Sequence, residues 1–249
     1  MTKRGHFAAA TLLTVLAASL TNPRRALAQP QKMTPFAADS VRTDYTASGA
    51  VRGQPEDYTY YRREDGSYYY RNWSEGSTHG LVAIIDAGRH DYAILEEQSR
   101  LKITFRYSPE RFERAMNPRQ EGVCPEPGGQ VELLGNAGER FGLQVIRVRA
   151  RSEKSTREEL LAPELKCFSI ESVETYSTGD KTVEEVTSLK LGPPPDSMFE
   201  VPSDYVERSP AAMEQEYKAR FGRPFWGDDW SRIMENNYWK LKTLQDSPR

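Results

Sequence analysis

The sequence predicts a mainly β, antiparallel, strongly bent and partly open sheet followed by a helical tail. Three observations predict it. Between residues 41 and 192, short β-favouring runs follow one another with turn residues between them and a single break, at 108–128. A proline-pinned stretch, "GPPPDSMFEVPSDYVERSP" at 192–210, then stops the sheet. Beyond Pro210 the apolar residues switch to helical spacing.

The N-terminus carries a basic start, an apolar run from Phe7 to Leu20, and a small-residue A-x-A site at Ala26 and Ala28. This is the pattern of an export signal over 1–28, cleaved after Ala28. The run is too short to span a bilayer, which takes ~20 residues. No cysteine follows the site for lipid attachment, and Arg24–Arg25 lie after the apolar run, where a twin-arginine signal would not place them. Losing 1–28 removes Lys3, Arg4, Arg24 and Arg25 and no acid, so the net charge moves from −2 to about −6. A mildly acidic chain with interspersed charges is unsuited to nucleic acid, which demands a basic face. No later stretch approaches membrane length. The expected location is the periplasm or the exterior.

Residues 29–40 read as a flexible lead-in and 41–209 as the β domain. "VRTDYTASGAV" comes first, then "YTYYRR", the turn "EDGS" and "YYYRNW". Asp65–Gly66 between two aromatic runs is a hairpin signal. Strand alternation puts Tyr58 and Tyr60 on one face, and Tyr68 and Tyr70 on one face with Tyr69 opposed. "GLVAIIDA", "HDYAILEE" and "LKITFRY" follow. In the last, Leu101, Ile103, Phe105 and Tyr107 alternate with Lys102, Thr104 and Arg106, as in an antiparallel meander with one wet face. Residues 108–128 break the pattern, with a short helix expected over Glu110–Met116. "QVELLG", "RFGLQVIRVRARS", "REELLAP", "KCFSIESVETY" and "KTVEEVTSLKLG" bring the total to about ten strands.

The tail, 210–249, is a C-terminal helical extension. "AAMEQEYKARFG" is helical and stopped by Gly222 and Pro224. A second helix starts at Asp228 or Asp229. It is amphipathic, with Trp230, Ile233, Met234, Tyr238 and Leu241 on one face.

The chemistry-bearing residues are few. Cys124 and Cys167 are the two cysteines, and in an oxidising compartment an isolated pair forms a disulfide. A metal site wants more ligands, and only His79 and His90 remain after export. No nucleophile elbow, zinc-protease motif or phosphate loop occurs. Glu96–Glu97, Glu158–Glu159 and Glu184–Glu185 are strand neighbours that point to opposite faces, not facing acid–base pairs. Asn72-Trp73-Ser74 spells a glycosylation sequon. No enzyme activity and no cofactor are expected.

The segments "LVAIIDAGRHDYAILEEQSRLKITF", "LLAPELKCFSI" and "PDSMFEVPSDYVERSP" resemble the superfamily of periplasmic outer-membrane lipoprotein-sorting carriers, LolA/LolB-like, over roughly 40–210. The resemblance implies a half-open β-barrel with short helices, whose concave side holds apolar groups. The carriers' arginine-latched lid has no residue-by-residue match here, and the tail after Pro210 departs from the pattern.

Two functions remain open at this stage. One is an exported, non-catalytic half-barrel that binds a lipid-like or acyl group, with a lipid or lipoprotein as partner. The other is a structural or interaction protein of the envelope whose sheet is filled by its own side chains. An open interior lined by Tyr68, Tyr70, Ile84, Ile94 and Phe105 favours the first. Tyrosine-rich residues 58–73 serve either as sheet packing or as cavity lining.

Overall fold

The computed structural model describes residues 32–74, 80–110, 112, 124, 128, 130–222 and 225. The expected export signal over 1–28, His79, most of the Glu110–Met116 helix and the helix from Asp228 lie outside the described residues.

Among the described residues twelve strands form one sheet that is not closed into a barrel. In chain order they are β1 (Phe36–Tyr45), β2 (Glu56–Arg62), β3 (Tyr68–Ser74), β4 (Gly80–Asp86), β5 (Asp91–Glu96) and β6 (Leu101–Arg106). There follow β7 (Val131–Arg140), β8 (Leu143–Arg151), β9 (Ser155–Ala162), β10 (Phe168–Tyr176), β11 (Lys181–Leu191) and the two-residue β12 (Val206–Glu207). The helix α1 spans Pro210–Phe221.

The spatial order is β12-β6-β5-β4-β3-β2-β1-β11-β10-β9-β8-β7. It consists of two meanders. β1 to β6 run outward to one edge. The chain then crosses to the far edge, and β7 to β11 run back until β11 pairs with β1, Phe36 opposite Leu191. Every pairing is antiparallel except that of β12 with β6. The first strand begins inside the segment expected as a flexible lead-in: Phe36 is fully buried and paired to both β2 and β11.

The hairpin turns where the Asp65–Gly66 pair predicts. Gly66 donates to the Arg63 carbonyl (3.1 Å) and alone in the turn takes positive φ (+89°), while Asp65 Oδ1 accepts from the Ser67 amide (2.8 Å). An L side chain rarely adopts that φ, so glycine belongs there.

The sheet curls toward the Tyr58/Tyr60 side. Strands lie about 4.8 Å apart, so β2 and β10, three steps apart, would be separated by ~14 Å in a flat sheet. The Tyr60 and Phe168 rings nevertheless meet at 5.4 Å, and Phe36 on β1 meets Phe168 at 4.6 Å. This side is therefore concave.

After β11 the proline-rich segment crosses the other, outer face as a strap, and then pairs with the β6 edge as β12. α1 follows on the concave side. Ser209 caps α1 by accepting from the Ala212 amide, Pro210 occupies the first turn, and Gly222 (φ +69°) ends the helix with its N–H on the Lys218 carbonyl. Pro210, Met213 and Tyr217 form its buried stripe. No helix among the described residues is long and apolar enough to cross a membrane.

Candidate functional site

The concave face is the candidate site. It is built by the alternate residues of β2 to β6 and continued by β1, β11, β10, β9 and β8. Tyr58, Tyr68, Tyr70, Ala83, Ile85, Tyr92, Ile94, Ile103 and Phe105 form one apolar cluster, which Phe112 and Met213 of α1 cover. Phe36, Leu143, Val145, Leu160, Ala162 and Val186 form a second, covered by Leu165. Tyr60 packs against both and joins them. Its ring lies 5.4 Å from Tyr70, 6.2 Å from Tyr68 and 6.3 Å from Tyr58, and Tyr92 stacks on Phe105 at 5.7 Å. The rings thus fill this part of the interior.

The tyrosine hydroxyls do not end in apolar space. Tyr58 donates to Glu56 (2.6 Å) and Tyr60 to Glu184 (2.8 Å), whose same oxygen accepts from Ser40 (3.0 Å). Buried hydroxyls require such partners. Burial above all, and then the Glu184 carboxylate, push the Tyr60 hydroxyl well above tyrosine's ordinary value. Burial does the same at Tyr58, with Tyr70 and Glu56 adding to it, and at Tyr70, with Glu184 adding. These phenols stay protonated throughout the ordinary pH range, so they serve as donors and apolar surface and not as bases.

Arg62 ends the inward row of β2. It sits opposite Phe36 and Tyr68 with its guanidinium 5.4 and 5.2 Å from their rings, and Nη1 donates to the Leu165 carbonyl at 3.4 Å.

Four of the five residues expected along a cavity come together: Tyr68, Tyr70, Ile94 and Phe105 share the concave cluster. Ile84 does not. It points to the outer face with Tyr69, Val82, Ala93 and Leu95, and the strap residues Phe199 and Tyr205 cover them. Tyr69, expected on the face opposed to Tyr68 and Tyr70, does point outward, and it is buried there, 5.3 Å from the Tyr61 ring, with burial pushing its hydroxyl up to about 12. The physical reason is the strap, which gives the outer side of β3 to β5 a second apolar layer. Three arginines hold it down. Arg63 stacks 4.2 Å over Phe199 and pairs with Asp196 (2.5 Å), Arg89 reaches the Phe199 carbonyl (3.5 Å), and Arg100 pairs with Asp204 (2.8 Å).

The Cys124–Cys167 bond is present, with a Cα–Cα distance of 4.9 Å. It packs on Ile146, Val148 and Leu161 and ties the long crossover to the tight turn after β9. Asn72 lies within β3 with its Oδ1 accepting from the Leu81 amide (3.2 Å), so the sequon stands on a paired strand and not in a loop. His90 occupies a turn at positive φ with its ring 5.2 Å from Phe112. Among the described residues no group of His, Cys, Asp or Glu is arranged to hold a metal ion.

Sequence reasoning missed Glu56, Glu184 and Arg62 as inward residues. A signal existed for Arg62: it continues the alternation of Tyr58 and Tyr60. For Glu184 there was none, because the register of β11 against β1 carries an irregularity at Asp39/Ser40 that only the fold reveals.

No protein-family model matches the chain, and no curated protein matches it either. Solved structures similar to it include an uncharacterised conserved protein from Thermus thermophilus, 13% identical over 71% of this chain and 91% of that one, with a TM-score of 0.46. A LolA superfamily protein from Nitrosomonas europaea is 10% identical over 80% and 99%, with a TM-score of 0.34. A putative outer membrane lipoprotein-sorting protein domain from Vibrio parahaemolyticus is 8% identical over 67% and 89%, with a TM-score of 0.31. The fold itself rests on the strand order and register above. The superfamily that the sequence segments resemble is among those named by these structures.

Proposed function

We propose that this chain is an exported, non-catalytic protein of the cell envelope whose concave face binds a lipid-like or acyl group. The supporting observation is the continuous apolar lining from β6 to β8, joined at Tyr60 and covered at the β6 end by α1 and Phe112 instead of by a second sheet. A cover made of one short helix can be displaced at far lower cost than a sheet. An acyl chain gains from such a face because apolar burial is worth about 25 cal/mol per Å². Export with cleavage after Ala28 puts the protein in the periplasm or outside, the compartment that suits the cystine.

A second reading has its own observation: the rings of Tyr58, Tyr60, Tyr68, Tyr70 and Phe168 already occupy the interior. On that reading the protein is a self-filled interaction module. Native mass spectrometry of protein recovered from the exported fraction, with extraction of bound lipid, separates the two. A co-purifying acyl species, or saturable uptake of a fluorescent fatty acid, is expected. Protein that leaves the cell empty and takes up no acyl probe overturns the binding reading.

A further inference from the structure

Arg62 is more buried than any ion-paired arginine around it, with 5% of its surface exposed. Its neighbours in this half of the sheet have carboxylates: Arg63 has Asp196, Arg71 has Glu97 and Arg106 has Asp91. Among the described residues Arg62 has none. Its five N–H groups find one acceptor there, the Leu165 carbonyl at 3.4 Å, and its charge faces two rings, Phe36 and Tyr68. Glu56 and Glu184, carboxylates on the same face, are engaged by Tyr58, Tyr60 and Ser40. A buried charge is ordinarily paired, because ring contacts and a single carbonyl do not replace the lost water. A guanidinium keeps its charge under all such conditions and offers a planar fork that matches carboxylate and phosphate oxygens.

We infer that Arg62 is an anion anchor, the counter-charge for the carboxylate or phosphate end of an acyl ligand. The inference deepens the binding reading above and rests on it. Arg62 lies where the two apolar clusters adjoin, so an anion held there leaves its chain to run over Tyr68, Ile85 and Phe105. Four N–H groups remain for the anion with the Leu165 contact kept.

The test uses three probes with the same chain, oleate, oleyl phosphate and the neutral oleyl alcohol, measured by calorimetry on the full exported protein. The wild type is expected to prefer at least one anionic probe over the alcohol by about tenfold or more, the scale of one charge-assisted pair. Whichever of oleate and oleyl phosphate binds tighter identifies the headgroup. Arg62→Leu is expected to erase the preference while keeping alcohol binding, and Arg62→Lys to retain part of it. Arg62→Gln provides the same comparison should the leucine variant not fold. Thermal unfolding supplies a second readout. An unpaired charge predicts that Arg62→Leu melts no lower than the wild type, whereas a purely structural brace to Leu165 predicts a clear drop. Equal binding of all three probes overturns the anchor and leaves the acyl reading standing. A preference that survives Arg62→Leu overturns it by placing the anion elsewhere. Binding of none of the three overturns both.

Discussion

Replacing Phe199 with alanine is expected to loosen the strap and with it the outer layer of the sheet. Phe199 is 1% exposed at the end of the short 3-10 turn Asp196–Phe199, and packs on Tyr69, Val82, Ile84, Ala93 and Leu95. Removing a buried phenylalanine side chain costs about 3–5 kcal/mol, the upper end applying where the site cannot collapse. Collapse is hindered here because β3, β4 and β5 are fixed on both sides by ladder partners. The Arg63 stacking at 4.2 Å adds ~0.5–1 kcal/mol at most, since that guanidinium is partly exposed and keeps Asp196. In a chain of this size each kcal/mol lowers Tm by about 2–4 °C, so the variant should melt about 6–20 °C below the wild type. Circular dichroism melts and urea titration measure this, with Val206→Ala, at an exposed position of β12, as a control expected within ~0.5 kcal/mol. A loss below about 1 kcal/mol for Phe199→Ala would show that the strap is not seated on β3 to β5 and that the outer face is wet.

Tyr69→Ala should cost about as much as Tyr68→Ala, roughly 3 kcal/mol or more by denaturant titration, because both faces of β3 are buried; a cost for Tyr69 near that of an exposed tyrosine refutes the two-sided core. Stability should be intact below about pH 10 and fall as pH rises further, by ~1.4 kcal/mol per pH unit for each of Tyr58, Tyr60 and Tyr70, because the unfolded chain releases these protons near 10 while the folded one keeps them. Tyr69 adds to the slope until about 12; tyrosinate absorbance that rises fully near pH 10 with the far-ultraviolet spectrum unchanged refutes this. Reduction of Cys124–Cys167, which closes a separation of 43 residues, should lower stability by up to about 4 kcal/mol. Unreduced peptide mapping should show the linked pair, and two free thiols in exported protein would contradict it.

The fold was legible because its signals are local. Turn pairs such as Asp65–Gly66 and alternation such as Leu101/Ile103/Phe105 against Lys102/Thr104/Arg106 depend on residues a few positions apart, and these strands form where they are predicted. The proline segment and the start of α1 after Ser209 were legible for the same reason. What could not be read is what depends on distant segments. Phe36 begins a strand inside a polar stretch because β2 and β11 accept it from both sides, and β12 exists only because the chain returns to the free edge of β6. Glu184 points inward through a register set by a strand more than a hundred residues away.

The misplacement of Ile84 and the burial of the outward Tyr69 share one cause, and the sequence did carry its trace. A strand buried on one face alternates, whereas one buried on both reads as a near-continuous apolar run. β6 alternates, but β4 reads Leu81-Val82-Ala83-Ile84-Ile85 and β5 reads Tyr92-Ala93-Ile94-Leu95, with no wet position between them. "YYY" at 68–70 belongs to the same class. Such runs require a second cover, and the segment holding Met198, Phe199, Val201 and Tyr205 is an apolar one that the sequence leaves outside the sheet. Counting faces that need covering, instead of strands that need pairing, therefore leads from β3 to β5 to the strap. It also explains the path of the chain. The strap covers the outer face of β3 to β5 and β12 occupies the β6 edge, and α1 then reaches the concave face around that edge, so one continuous stretch of chain packs on both faces of this half of the sheet.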